Sequence, residues 1–442
     1  MELSLQTNVE TAEPPLTAEE LEIKENLYNK LLSVMDLSLI ETVSKEQAKE
    51  QISAICQELI GEMNLPINLS ARLRLIKLIN DEVLGLGPLE TLLADPTISD
   101  ILVNSYDRVY VERHGKLQEV EVKFHSNAHL LNIIDRIVSS VGRRIDESSP
   151  MVDARLLDGS RVNAIIPPLA LDGPSLSIRR FSVDKLKAEQ LIALNSITKD
   201  MITVLEGAVK GKLNVLVSGG TGSGKTTLLN LLSGYIPEDE RIVTIEDSAE
   251  LQLQQRHTVR LETRPANIEG RGEISQRDLV KNCLRMRPDR IVIGEVRGGE
   301  ALDMLSAMNT GHEGSLTTLH ANSPRDALGR LEYMVCMAGF DVPVSNIRTQ
   351  IASAIDIVVQ LERQEDGRRR VTSIQEINGM EGNVITMSEI YSFAREGRDR
   401  DGNILGQFKA TGVIPNFHSK LKTNGIDLPV ELFDCGDPFA NY

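Results

Sequence analysis

The spacing of apolar residues changes character along the chain. Between residues 16 and 90 it is helical: Leu27, Leu31 and Val34, then Leu73, Ile76 and Ile79, recur at steps of three or four, as one face of a helix requires. From 91 to 180 the runs are short and alternate. SDILVN (99–104), RVYVERHGKLQEVEV (108–122) and SRVNAIIPP (160–168) predict strands, with His114, Gly115 and Lys116 in a hairpin turn, and LLNIIDRIVSSVG (130–142) predicts a helix. This stretch is expected to form a small α+β domain, followed by a linker over 181–195. From 196 to 442 the rhythm becomes strand–helix alternation. The apolar runs LNVLVS (213–218), RIVTIE (241–246), RIVIGE (290–295), SLTTLH (315–320) and IDIVVQLE (355–362) predict an α/β domain with a largely parallel core sheet. Two further strand-like runs, VTSIQEI and VITMSEI, precede a glycine-rich tail of weaker pattern. At the other end, residues 1–15 are polar, contain Pro14 and Pro15, and read as a disordered tail.

Charge narrows the function classes. The chain has 442 residues with 48 Lys+Arg against 64 Asp+Glu, a net charge of -16. Binding nucleic acid by bulk charge needs a basic surface, so that class is disfavoured. The first 50 residues hold 11 acidic and 4 basic residues, which argues against an anchor for anionic membranes. No run approaches the roughly 20 apolar residues of a membrane helix, and no membrane insertion is expected. The first residues lack the basic and apolar regions of a secretory signal. Cys56, Cys283, Cys336 and Cys435 form no CxxC pair, so neither a zinc site nor a disulfide framework is indicated.

The most specific chemistry lies just after the first strand of the α/β region. Gly219, Gly220, Thr221, Gly222, Ser223, Gly224, Lys225 and Thr226 spell G-x-x-x-x-G-K-T, between the strand LNVLV and the helical run TTLLNLLSG. Glycines let the backbone turn so that successive N–H groups point at phosphate oxygens, and the helix that follows adds its positive dipole end. Lys225 is expected to reach the β- and γ-phosphates and the Thr226 hydroxyl to ligate Mg²⁺, with Thr227 beside it. ATP and Mg²⁺ are the ligands this implies.

Hydrolysis also requires acidic groups near the phosphates. Two apolar strands end in carboxylates: RIVIGE in Glu295 and RIVTIE in Glu246, followed by Asp247 and Glu250. If these strands run parallel to the one before the loop, both glutamates reach the edge where α/β sheets bind ligands. His320 closes the run SLTTLH and is placed to sense the γ-phosphate, and His312 lies in the preceding turn NTGHEG.

These segments together resemble the secretion ATPases of the type II/type IV secretion superfamily. The runs are LVSGGTGSGKTTLLN, TIEDSAEL, CLRMRPDRIVIGEVRGGEA and NTGHEGSLTTLHANSPRDALGRLE. By that resemblance they are the Walker A, Asp-box, Walker B and His-box motifs, with Glu246 and Asp247 in the Asp box, Glu295 in Walker B, and His312 and His320 in the His box. LGLGPLETLLADPTISDILVNSYDRVYVERHGKL and the tail GQFKATGVIPNFHSKLKTNGIDLPVELF are similar to the CpaF-type ATPases of tight-adherence (Tad) pili. The likeness covers roughly residues 70–435. It implies a RecA-like P-loop domain, a smaller α+β N-terminal domain that donates arginines to the nucleotide, and a homo-hexameric ring. The candidate arginines are Arg155, Arg161 and Arg179. The six arginines 264, 271, 277, 285, 287 and 290 are either a salt-bridged surface or a subunit interface.

The resulting expectation is an ATP-driven motor, cytoplasmic and held to the inner membrane through platform proteins of the machine. Glu295 would organise Mg²⁺ and Glu246 would act as general base, though the two roles are interchangeable at this level. ATP would bind between the two domains, and phosphate release would change their orientation. The alternatives are a type IV secretion ATPase, a DNA-translocating P-loop motor, a small-molecule kinase, and an assembly subunit that binds ATP without turnover.

Overall fold

The structure is a computed structural model. It describes residues 17–35, 45–63, 65, 67–113, 115–181, 186–266, 271–400 and 402–435. The expected tail over 1–15, the turn residue His114 and part of the expected linker lie outside these residues. The chain divides into two compact units, Met1–Phe181 and Ser182–Tyr442.

The first unit opens with α1 (Ala18–Val34), α2 (Lys45–Glu62) and α3 (Leu69–Leu84). Side-chain caps start two of them: Thr17 accepts from Glu20 N and Asn68 from Ala71 N. Leu27, Leu31, Ile52, Cys56, Ile60 and Ile79 meet as their shared core. After α4 (Leu89–Ala94) come β1 (Ile98–Ser105), β2 (Arg108–Arg113), β3 (Lys116–Val120), α5 (Asn127–Ser140), β4 (Met151–Arg155), β5 (Arg161–Ile165) and β6 (Ser175–Arg179). The strands form one antiparallel sheet in the order β3-β2-β1-β6-β5-β4. α5 buries Leu130, Ile133, Ile134, Ile137 and Val138, a stripe at three- and four-residue steps, into the same core as Ile101, Val109 and Ile178 of the sheet.

The second unit is α/β. β7 (Val215–Gly219), β8 (Ile242–Glu246), β9 (Thr258–Glu262), β10 (Arg290–Ile293), β11 (Leu316–Leu319) and β12 (Ile357–Arg363) are parallel, in the order β12-β7-β11-β10-β8-β9. β13 (Arg369–Glu381), β14 (Val384–Arg398) and β15 (Ile404–Ala410) extend the sheet antiparallel from β12. The five apolar runs read from the sequence all lie in the parallel part, and the architecture is that of a RecA-like P-loop domain. β9 has no such run: it pairs with β8 on one side only and its residues are half-exposed or exposed.

Both faces of the parallel sheet are covered, and strand alternation decides which residue goes where. Val215, Val217, Ile242, Val292, Ile357 and Val359 enter one core; Leu216, Val243, Ile245, Ile291, Ile293 and Val358 enter the other. The tail belongs to the first of these cores. Phe417 and Leu421 of the helix Phe417–Thr423, with Leu428 and Phe433, are buried there. The short helix Ala188–Ala193 lies within the stretch read as a linker, and its Leu191 packs into the same core. Among the described residues, no helix is long and apolar enough to cross a membrane.

Candidate nucleotide site

The phosphate loop joins the carboxyl end of β7 to the helix Lys225–Ser233. β7 is wholly buried, so the loop starts from a rigid floor. Gly222 and Gly224 have φ of +68° and +98°, a region that only glycine enters cheaply. At Gly219 the constraint is space: a Cβ there would stand 2.5 Å from both the Leu361 carbonyl and Ser223 Oγ. Lys225 Nζ donates to the carbonyl oxygens of Gly219 (3.0 Å) and Gly220 (2.9 Å), which places the ammonium inside the loop. Ser223 Oγ donates to Gly220 O at 2.9 Å and closes the turn.

The strand order brings the acidic and histidine candidates to the same edge. β8, β10, β11 and β7 are consecutive neighbours, all parallel. Glu246, Glu295, His320 and the loop therefore all leave the sheet at its carboxyl edge. Glu246 Oε2 accepts the backbone N–H groups of Glu250 (2.7 Å) and Leu251 (2.8 Å), while its buried Oε1 has no hydrogen-bond partner among the described residues. Burial pushes this carboxyl up to about 7, against the pull of those two N–H groups. Gly294 is matched to it, since a Cβ there would lie 2.9 Å from Glu246 Cγ.

Glu295 is held differently. Its Oε1 lies 2.7 Å from His320 Nε2, and its Oε2 accepts from Arg297 Nε (3.0 Å) and Nη2 (2.6 Å). Arg297 Nη1 also reaches Asp247 Oδ2 at 3.2 Å, so one guanidinium bridges the ends of β10 and β8. Burial would lower the Arg297 pKa, but Glu295, then Asp247 and Glu250, raise it. Burial holds the His320 imidazole below its usual value; the Lys225, Arg297 and Arg330 cations push the same way, against Glu295. His312 sits before the first residue of β11, at the opposite end of that strand from His320.

The residues fit a hard divalent cation. Thr226, in the first turn of its helix, and Glu295, two strands away at the same carboxyl edge, carry the oxygen donors that Mg²⁺ prefers.

Arg155, Arg161 and Arg179 lie in the first unit, where Arg155 pairs with Arg161 and Arg161 with Arg179 across β4, β5 and β6. Directly paired residues share a sheet face, so the three form a row, which continues through Asp100 opposite Arg179 to Glu112 on β2. Arg155 is partly steadied by Phe181, whose ring centre lies 5.9 Å from the guanidinium carbon. The same unit holds the metal-capable cluster of Glu82, His125 and His129, whose ligand atoms lie within 4.8 Å of one another. Lys24 (2.6 Å) and His125 (2.5 Å) already flank the buried Glu82 carboxylate. Burial alone would raise its pKa, but the His125 hydrogen bond and the Lys24 charge hold it at about 2. The cluster is an ionic pin between α1, α3 and the start of α5.

Of the six arginines between 264 and 290, Arg290 is fully buried against Glu240 and Arg277 pairs with Asp303 at 2.7 Å. These two are therefore structural. The residues that sequence reasoning missed are Arg297, Arg363 and Arg369. Arg297 follows Glu295 by two positions and was visible as a charge beside the motif. Arg363 and Arg369 are far from the loop in sequence and gave no signal.

Comparison with known proteins identifies the family. The chain is 38% identical over 315 residues to a putative conjugal transfer protein of Mycobacterium tuberculosis, covering 70% of this chain and 89% of that one. It is 32% identical over 325 residues to the type IV secretion system protein VirB11 of Bartonella quintana, covering 65% and 91%. Among solved structures, the VirB11 ATPase of the Brucella suis type IV secretion system, in complex with sulphate, is 30% identical with a TM-score of 0.36, covering 65% of this chain and 95% of that one. The pilus retraction motor PilT with bound ADP is 17% identical with a TM-score of 0.49, covering 76% and 86%. Residues 82–399 match the type II/IV secretion system protein family, and the chain belongs to that family.

Proposed function

We propose that this protein is an ATP hydrolase whose turnover drives a tight-adherence pilus. One observation carries the enzymatic reading: the phosphate loop, Glu246, Glu295 and His320 all leave one edge of the sheet from four consecutive parallel strands. The loop N–H groups and Lys225 receive the β- and γ-phosphates. Thr226 and Glu295 would hold Mg²⁺, which when bound neutralises charge on the phosphate oxygens. Glu246 takes the proton of the attacking water; its raised pKa and unpartnered Oε1 suit a base working near neutral pH. His320 ties Glu295 to β11 and so couples the phosphate site to the next strand. We assign to Arg155, Arg161 and Arg179 the neutralisation of charge on the transferring phosphoryl group, which a row of guanidinium groups is suited to supply.

The pilus reading is supported by the likeness of residues 84–117 and 406–433 to the CpaF-type ATPases. The identity to VirB11 and to conjugal transfer proteins supports a second reading, a type IV secretion ATPase. In either, the working form is a homo-hexamer attached to inner-membrane platform proteins. Steady-state phosphate release with Mg²⁺ and ATP, for wild type, Lys225→Ala and Glu295→Ala, tests the chemistry. A loss of at least ~100-fold is expected in each variant; equal near-zero rates in all three defeat the hydrolase reading. Stimulation by DNA with salt-sensitive binding would instead favour a DNA motor. Deletion in the source cell separates the machines: loss of surface pili supports the first reading, and loss of substrate transfer with pili intact supports the second.

A further inference from the structure

The β12–β13 hairpin lies against the phosphate loop, and the mechanism above makes no use of it. β12 runs parallel to β7 and pairs Leu361 with Gly219, so the hairpin starts where the loop starts. Its two strands pair Arg363 with Arg369. Arg369 Nε donates to the Gly222 carbonyl at 2.8 Å. The Arg369 side chain also borders Gly224, with Cδ 3.4 Å from the place a Cβ would take. Arg363 Nη1 is 3.4 Å from the corresponding place on Gly222. Two guanidinium groups thus border the two left-handed glycines of the loop, and both come from the same unit as the loop itself.

Each contact has a physical consequence. A phosphate loop works by holding several N–H groups in one inward-facing turn, and its glycines make that turn easy to deform. A hydrogen bond from a planar guanidinium onto the Gly222 carbonyl restricts the peptide in the middle of the turn. A second cation beside that peptide raises the local potential where polyphosphate would lie. Its effect grows with the charge on the ligand, so it favours a triphosphate over a diphosphate.

We propose that Arg363 and Arg369 form a cationic clasp on the phosphate loop. Arg369 is a positioning residue that fixes the Gly222 turn, and Arg363 is a phosphate-binding residue that helps distinguish nucleoside triphosphate from diphosphate. This rests on the nucleotide reading above and adds a set of cations separate from Arg155, Arg161 and Arg179.

The test uses the full chain and its Arg363→Ala, Arg369→Ala, Arg369→Lys and Lys225→Ala variants. Dissociation constants for fluorescent ATP and ADP are measured with Mg²⁺, beside kcat, KM and the melting temperature without nucleotide. Arg363→Ala is expected to weaken ATP about tenfold and ADP less, with melting unchanged. Arg369→Ala is expected to raise KM for ATP by about tenfold. Arg369→Lys is not expected to restore it, because lysine keeps the charge but has no donor at the Nε position. Equal weakening of ATP and ADP by Arg363→Ala overturns the discriminating role, and full rescue by Arg369→Lys overturns the positioning role. If both alanine variants bind like wild type while Lys225→Ala does not bind, the clasp is wrong and the nucleotide reading stands. If wild type binds neither nucleotide, both readings fall.

Discussion

Replacing Glu246 by Gln should make the protein more stable, by an amount that grows as pH rises from about 4.5 to about 7 and then levels off. Glu246 is 3% exposed and closes a strand in which every residue is buried. Burial raises its pKa from 4.5 to about 7. In the unfolded chain the carboxyl returns to its ordinary value. Between the two values the folded protein binds more protons than the unfolded one, so stability falls as pH rises through that window. The penalty is complete above about pH 7. The span from 4.5 to about 7, at about 1.4 kcal/mol per pH unit, gives an upper bound of about 3.5 kcal/mol. Glutamine keeps an oxygen for the Glu250 and Leu251 N–H groups and places its NH₂ where the protonated acid has its O–H. Wild type and Glu246→Gln should therefore match below about pH 4, and the variant should gain up to about 3.5 kcal/mol by pH 8.5. Urea unfolding followed by circular dichroism at several pH values measures the gap. A difference that does not widen with pH, or a variant that is less stable at pH 8.5, refutes the burial argument. The same substitution should cut steady-state phosphate release by about 100-fold or more if Glu246 is the base.

Two further substitutions test the framework of the site. Gly224→Ala forces a side chain into φ +98° and should cost about 1–2 kcal/mol, read as a melting temperature a few degrees lower, with weaker ATP binding. Phe433→Ala removes a ring that is 1% exposed within the main core of the second unit. A loss of about 3–5 kcal/mol in urea unfolding is expected; a surface-like change below about 0.5 kcal/mol would show that the tail does not belong to that core.

Much of the α/β unit was legible without coordinates because its signals are local. A parallel strand covered on both faces is a short apolar run, and β7, β8, β10, β11 and β12 all read that way. The phosphate loop is a contiguous motif, and Glu246, Glu295 and His320 are marked by the ends of such runs. β9 and β15 were harder to see, since sheet-edge strands keep half their residues polar or exposed. The tail was underrated for a related reason. Phe417, Leu421, Leu428 and Phe433 follow no simple period, and only their common place on one sheet face makes them core.

Other features have no local signature. Arg297 reaches Asp247 across 50 positions because β8 and β10 are neighbours, and Arg369 reaches Gly222 across 147 because β12 lies beside β7. Arg155, Arg161 and Arg179 become a row through strand register alone. Residue type and short-range periodicity therefore determined the strands, the phosphate loop and the acidic candidates. The tertiary structure decided which long side chains meet, because strand order sets those distances and side-chain periodicity does not encode strand order.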